Sequence, residues 1–238
     1  MFANHSLMVV IPAYNEQELI ADTVAGIPDE VDEILLVDDG STDATVERAL
    51  SIGERRLRVV RHERNKGVGA AICTGYREAL GRGMDVAVVV GGDAQMDPTE
   101  MAGLIQPILD NRADYTKGTR LQHPELRSRM PWQRRVGNRV LTALTRMAVG
   151  SAQLTDAQCG YTAITRAAIA QLDLDTLWSG YGYPNDLLAR LHGAGLRVVE
   201  RPVTPIYGRE KSGIRPLTVV PIYSYVLLRA FFRRIWRQ

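Results

Sequence analysis

Cysteine is almost missing from this chain: Cys73 and Cys159 are the only two in 238 residues. Two thiols so far apart make neither a disulfide framework nor a metal-ligand spacing. Disulfide-stapled scaffolds and zinc modules are therefore excluded, and a reducing compartment fits. Long hydrophobic runs are missing too. No stretch reaches the roughly 18 to 20 apolar residues that cross a bilayer, and Met1–Ser6 lacks the basic region of a cleaved leader. Charge of one sign is scarce, with a formal net charge of +2, so a nucleic acid is not an expected partner. The four histidines, at positions 5, 62, 123 and 192, have no ligand spacing. A Gly-x-Ser-x-Gly motif is absent, as is a Cys/His pair with an orienting partner, which leaves a covalent hydrolase unsupported. There are no internal repeats and no low-complexity segments.

What is present is ordinary in bulk, 45% hydrophobic and 24% charged, enough for one compact α/β domain. The first hundred residues alternate short β-branched runs with helical patterns, the rhythm of a parallel sheet with crossover helices. Strands are expected at Leu7–Ile11, Glu33–Val37, Leu57–Val60 and Val86–Val90, each nearly continuous in apolar residues because both faces of such a sheet are covered. Helices are expected at Glu16–Ala25, Thr42–Leu50 and Gly69–Leu80, the second with Ser41, Thr42 and Asp43 as capping candidates. Asp97, Pro98 and Glu100 form a strong start signal for a further helix. Beyond Leu121 the rhythm changes to helices near Gln133–Ala148 and Pro184–His192, a polar loop at Thr155–Gly160 and a strand at Leu196–Val203. No Ser/Gly-rich linker separates the halves. The expected organisation is a single domain over 1–215, in two halves (1–120 and 121–215), followed by a terminal helix over 216–238.

Carboxylates collect on the loops that leave these strands. One such loop runs Gly92-Asp93-Ala94-Gln95-Met96-Asp97-Pro98. A carboxylate beside an amide oxygen is a donor set for a hard divalent cation, which stabilises negative charge on a departing diphosphate. Asp93 and Gln95 suit that role, whereas the helix cap competes for Asp97. A second loop, Val37-Asp38-Asp39-Gly40-Ser41-Thr42-Asp43, and a third, Ile11-Pro12-Ala13-Tyr14-Asn15-Glu16, end the neighbouring strands. In open α/β sheets ligands bind at the carboxyl ends of the strands, so these loops are expected to share one crevice. Arg64-Asn65-Lys66-Gly67-Val68-Gly69-Ala70 sets basic residues at a helix start, where backbone can approach a phosphate. It lacks the third glycine of the dinucleotide fingerprint, which argues against a nicotinamide site.

Taken in order, IPAYNE, VDDGSTD, RNKGVGAA and GDAQMDP resemble the motifs of the family 2 glycosyltransferases. The segments Lys117–Arg120, Asp156–Tyr161 and Tyr207–Gly213 look like those of the polyprenyl-phosphate branch, similar to dolichol-phosphate mannose or glucose synthases. The resemblance covers most of the chain and implies a GT-A fold: a Rossmann-like, mostly parallel central sheet flanked by helices, with a C-terminal acceptor-side lobe and a terminal amphipathic helix. It implies a donor-binding set of Pro12, Ala13, Tyr14, Glu16, Asp38, Asp39, Lys66, Gly67, Asp93, Ala94 and Gln95, with Asp93 and Gln95 holding Mg2+ or Mn2+. One position departs, because many relatives carry a further aspartate where this chain has Gly91.

On the acceptor side, Arg120, Arg135, Lys211 and Ser212 are expected to grip an anionic acceptor or the diphosphate. Asp186 falls where many family 2 enzymes place an acidic base, although a first-turn helix acid is favoured there by the dipole alone. Asp93, Arg120, Lys211 and Asp186 form the expected catalytic set. The activity implied is inverting transfer of a hexosyl group from a UDP- or GDP-sugar to a membrane-associated acceptor, polyprenyl phosphate first and a polysaccharide or glycolipid hydroxyl second. A sugar nucleotidylyltransferase would need a Gly-rich, Arg-containing loop after the first strand, where Pro12–Glu16 stands instead; Gly91 leaves open an inactive nucleotide-binding module. The tail, with Phe231, Phe232, Ile235 and Trp236 among arginines 229, 233, 234 and 237, reads either as an interfacial helix on an anionic membrane or as a helix packed on the core. The first version implies a peripheral protein on the cytoplasmic face.

Overall fold

A computed structural model describes residues 2, 5–122, 130, 132–151, 153–204, 206 and 216–236. The apolar runs form strands and the segments between them form helices, in the order β1 (Leu7–Ala13), α1 (Ile20–Ala25), β2 (Glu33–Asp38), α2 (Thr45–Leu50), β3 (Leu57–Arg61), α3 (Val68–Gly81), β4 (Val86–Val89), α4 (Met101–Leu109), β5 (Tyr115–Thr119), α5 (Trp132–Val149), β6 (Thr162–Thr165), α6 (Arg166–Ala170), α7 (Tyr183–Gly193), β7 (Val198–Pro202) and α8 (Pro216–Ile235). One sheet holds the strands in the order β3-β2-β1-β4-β6-β5-β7. β1 to β4 pair in parallel, as do β5 and β7; β6 runs against both its neighbours. This is the mostly parallel sheet of the GT-A fold.

Alternation along β1 explains the layering. Met8 and Val10 pack on one face with Ala71, Ile72 and Tyr76 of α3 and Leu187, Leu188 and Leu191 of α7. Leu7, Val9 and Ile11 pack on the other with Ile20 and Val24 of α1 and Met101, Leu104 and Ile105 of α4. Successive side chains of a strand point to opposite faces, so a run apolar throughout must be covered on both.

Three expectations shift. The first helix begins at Ile20 rather than Glu16, because Asn15 takes φ 57° and the Asn15 and Glu16 amides donate to Ser41 Oγ (2.9 Å) and Thr45 Oγ1 (2.8 Å) of the next loop. Asp97 caps as expected, accepting from the Thr99 amide at 2.9 Å, but a short 3-10 turn over Pro98–Glu100 precedes α4. Glu100 does not complete a capping box; its carboxylate accepts from Thr204 N and Oγ1 near the end of β7. β5, β6 and α6 were not expected as elements at all. β5 reads Tyr-Thr-Lys-Gly-Thr, which looks like a loop, yet all five residues are buried.

Candidate active site

The sheet topology brings the carboxylate loops together. β1 has β2 on one side and β4 on the other, so the chain leaves it in opposite directions and a crevice opens at the carboxyl ends. Ala13 pairs with Asp38 at the strand ends, the Asp39 amide donates to Ala13 O at 2.8 Å, and the Gly92 amide reaches Pro12 O at 3.4 Å. The loops carrying Pro12 to Glu16, Asp38 to Asp43 and Gly92 to Asp97 therefore line one edge, with the Tyr14 ring 44% exposed beside them.

Asp38 and Asp39 are both buried and bound within the chain. Asp38 accepts from Ser41 N (3.0 Å) and pairs with Arg61 Nε (3.0 Å). Asp39 accepts from the amides of Lys66 (2.9 Å) and Gly67 (2.7 Å) and meets His62 Nδ1 at 2.6 Å, while His62 Nε2 contacts Thr74 Oγ1 at 2.9 Å. The pair thus ties the basic 64–67 loop to the end of β2. Two glycines allow the close approach. A Cβ on Gly40, at φ +77°, would lie 2.7 Å from the Arg64 carbonyl carbon, and one on Gly67, at φ +98°, 2.5 Å from Ser179 O. His62 had no function in the sequence because isolated histidines lack a ligand spacing; its partners come from the fold.

In the acidic loop Ala94 takes φ +52°, a conformation uncommon for a residue with a side chain. That turn lets the Gln95 amide donate to Asp93 Oδ1 at 3.2 Å. Gly91 sits underneath, and a Cβ there would come within 2.9 Å of Asp93 Oδ1. The departure from the family pattern is thus matched by an Asp93 carboxylate folded back over it. Nearby, burial pushes the Glu16 carboxyl up to about 7, helped by the negative charges of Asp93 and then Asp43. A crevice in which carboxylates oppose one another is one that a cation stabilises. Among the described residues no cluster of three or more His, Cys, Asp or Glu forms a ready-made metal cage. The donor set fits a hard cation that draws its other oxygens from a diphosphate and water.

Across the crevice, Arg120 follows β5 and is held by Asp156, Nε to Oδ2 at 2.9 Å, with its amide donating to the same oxygen at 3.1 Å. Burial alone would raise Asp156, but Arg120, followed by Lys117, outweighs it and keeps the carboxyl below its usual range. Lys117 is fully buried and donates to Cys159 O; burial lowers its pKa. Glu200 closes the network by accepting from the amides of Thr155 (2.7 Å) and Asp156 (3.1 Å). The sequence marked this segment only as a motif; Asp156 and Glu200 as anchors of Arg120 emerge from pairing that joins positions 36 to 45 residues apart. One pocket brings the sides together, lined by Gln95 and Met96 from the acidic loop and by Arg120, Cys159, Gly160, Tyr161, Val203, Thr204 and Ile206. The Tyr161 hydroxyl in its wall is buried and has no hydrogen-bond partner among the described residues.

Asp186 lies in the first turn of α7 with no exposed surface. Oδ2 accepts from Trp178 N (3.0 Å) and Arg190 Nε (3.1 Å), and Oδ1 from Arg233 Nη1 of α8 (3.3 Å). A general base must reach a substrate proton, and here protein donors occupy both oxygens. Arg135 is half-buried on α5. The same helix contributes Arg139, Thr142 and Arg146 to a cleft of about 270 Å³ with Leu121 and Thr155, a basic site that the sequence did not single out. Lys211 and Ser212 lie outside the described residues.

A family model for glycosyl transferase family 2 matches residues 8–173. The chain belongs to this family. It is 31% identical over 220 residues to the UDP-N-acetylglucosamine–dolichyl-phosphate N-acetylglucosaminyltransferase of Methanococcus voltae, spanning 86% of this chain and 87% of that one. It is 33% identical over 204 residues to the polyprenol monophosphomannose synthase of Mycolicibacterium smegmatis, spanning 83% and 76%. Among solved structures, glucosyl-3-phosphoglycerate synthase of Mycobacterium tuberculosis, determined with Mn2+, uridine diphosphate and glucosyl-3-phosphoglycerate, matches with a TM-score of 0.72 at 25% identity, covering 98% of this chain and 80% of that chain. This family 2 chain is a glycosyltransferase. No helix among the described residues is long and apolar enough to cross a membrane.

Proposed function

We propose that this glycosyltransferase moves a hexosyl group from a nucleoside diphosphate sugar to a lipid-linked phosphate, with inversion. The observation that carries the reading is the pocket lined by Gln95 on one side and Arg120 on the other. It puts a donor-diphosphate loop opposite a guanidinium able to hold a second anion. The names of the relatives from M. voltae and M. smegmatis, both of which act on polyprenyl-type phosphates, support the acceptor class.

In this mechanism Pro12, Ala13, Tyr14, Glu16 and the Lys66–Gly67 backbone bind the nucleoside, with Asp38 and Asp39 acting through the loops they hold. Asp93 and Gln95, beside Ala94, would hold Mg2+ or Mn2+, which when bound offsets charge on the leaving diphosphate. Arg120, with Arg135 and the Arg139–Arg146 cleft, orients the acceptor phosphate; Lys211 and Ser212 join them by resemblance. An acceptor oxygen attacks the anomeric carbon from the face opposite the diphosphate. The new carbon–oxygen bond forms as the bond to the donor phosphate breaks, and the nucleoside diphosphate leaves with the electron pair. A phosphate oxygen at neutral pH is already anionic, so this step needs no base, in keeping with an Asp186 committed to arginines.

The test is a product assay with UDP- and GDP-sugars, isoprenyl phosphate and Mg2+ or Mn2+. Nucleoside diphosphate released in step with glycosylated lipid phosphate is the expected result. Pyrophosphate release, or transfer confined to hydroxyl acceptors, overturns it. We place the chain as a peripheral protein on the cytoplasmic face of an anionic membrane, where such acceptors are anchored.

A further inference from the structure

Helix α5 carries an apolar stripe that the core does not use. Trp132, Val136, Val140, Leu144 and Met147 recur every three or four residues, the spacing of one helix face, and all are exposed, Trp132 at 63% and Met147 at 68%. Beside it α8 exposes Tyr225, Leu228, Phe232 and Ile235, and Trp236 just past its end is 86% exposed. The two helices pack together through Leu141, Ala148, Leu227, Ala230 and Phe231, and Arg234 of α8 donates to Met147 O of α5 at 2.8 Å. Each therefore buries one side against its neighbour and leaves a hydrophobic side uncovered. Contiguous apolar surface of this kind marks an interaction site.

Charge selects the occupant. Residues 132–149 contain Arg134, Arg135, Arg139 and Arg146, residues 216–236 contain Arg229, Arg233 and Arg234, and neither segment has an aspartate or glutamate. A second copy docking through the same patch would bring arginines against arginines. Arg233 is taken up by Asp186, whereas Arg229 and Arg234 donate to the neutral carbonyls of Thr176 and Met147 and keep their positive charge. An anionic bilayer surface supplies phosphates to this remaining charge and acyl boundary to the aromatic and aliphatic groups.

We infer that α5 and α8 together form a two-helix platform that lies in the headgroup region of an anionic membrane, with α5 as an equal partner of the terminal helix. α5 also lines the basic cleft through Arg139, Thr142 and Arg146. The same helix thus joins the bilayer to the proposed acceptor-phosphate site, and to that extent the inference rests on the lipid-phosphate reading.

The full chain is sedimented with vesicles of phosphatidylcholine alone or mixed with phosphatidylglycerol. Binding to the mixed vesicles is expected to exceed binding to pure phosphatidylcholine by about tenfold and to weaken with salt. Val136→Glu with Val140→Glu in α5, and Leu228→Glu with Phe232→Glu in α8, should each weaken it about tenfold or more, because a charge in the apolar stripe opposes insertion. The milder Val136→Ser with Val140→Ser should fall between, and melting temperatures verify folding. Binding unchanged by the α5 pairs overturns the platform, as does a wild-type dimer that the α5 pairs split while vesicles remain unbound. Turnover of a short, water-soluble isoprenyl phosphate without vesicles separates the two ideas. Lost vesicle binding with retained turnover supports both. Stripe-dependent vesicle binding by a wild type that never uses that acceptor supports the platform and overturns the acceptor assignment.

Discussion

Carboxylates on the two sides of the crevice live in opposite surroundings. On the donor side Glu16, Asp43 and Asp93 act on one another, and the mutual repulsion adds to burial in holding the Glu16 carboxyl at about 7. On the acceptor side Asp156 and Asp186 are buried against Arg120 and against Arg190 and Arg233. In the proposed reading a cation offsets the repulsion in the first arrangement. The second is finished within the protein, so its carboxylates set the positions of arginines rather than awaiting a ligand. The contrast teaches that acid count alone does not locate a metal site; what matters is whether the protein has already neutralised the acids.

The largest effect that could break this comparison is at Asp93. Asp93→Asn should lower turnover by a hundredfold or more, about 3 kcal/mol of transition-state stabilisation, and should abolish the rise in melting temperature that Mn2+ gives in the presence of nucleoside diphosphate. A metal-dependent shift as large as in the wild type would show that the donor-side acids do not hold the cation. Asp156→Asn should instead lower stability by about 3 kcal/mol, since it leaves Arg120 and buried Lys117 without their counter-charge. Chemical denaturation measures this, and a loss of turnover at full stability would move Asp156 to the reacting side of the comparison.

Asp186→Asn sharpens the same point at slightly smaller cost, about 2 to 3 kcal/mol, because an asparagine oxygen can still accept from the Trp178 amide. Turnover with a lipid phosphate should stay within a few-fold of normal below the melting transition. A hundredfold loss at unchanged stability would restore the base role expected from its position.

How far these sites were legible follows from the same division. β1, β2 and β4 stood out because Val, Ile and Leu fill strands buried on both faces, and their loops followed by topology; β3 was legible from the same apolar pattern although, at the sheet edge, it is only partly buried. β5 was hidden since Lys117 in mid-strand looks solvated, whereas the fold buries it against Cys159 O. β6 is only four residues long, Thr162–Thr165, too short for a periodic signal. The Asp97 cap was readable as local chemistry. The Arg120–Asp156 pair and the Asp39–His62–Thr74 chain were not, because each joins residues distant in sequence. In the tail Val226, Leu227 and Ala230 are buried, as packing on the core requires, while Phe232 and Trp236 stay exposed.

The smallest effect tests the donor-side repulsion directly. The Glu16 carboxyl sits near 7 in the folded chain against 4.5 when unperturbed, so between those values the folded state binds the proton more tightly than the unfolded state. Stability from this group is present below about pH 4.5 and is lost as pH rises through 7. In metal-free buffer Glu16→Gln, which cannot ionise, should melt a few degrees higher than wild type at pH 8 and at the same temperature at pH 4.5. Adding Mn2+ with nucleoside diphosphate at pH 8 should narrow the gap, since a cation at Asp93 offsets the repulsion that raised Glu16. A gap independent of pH would mean that Glu16 acts through packing, and the donor side would then resemble the acceptor side more than the geometry indicates.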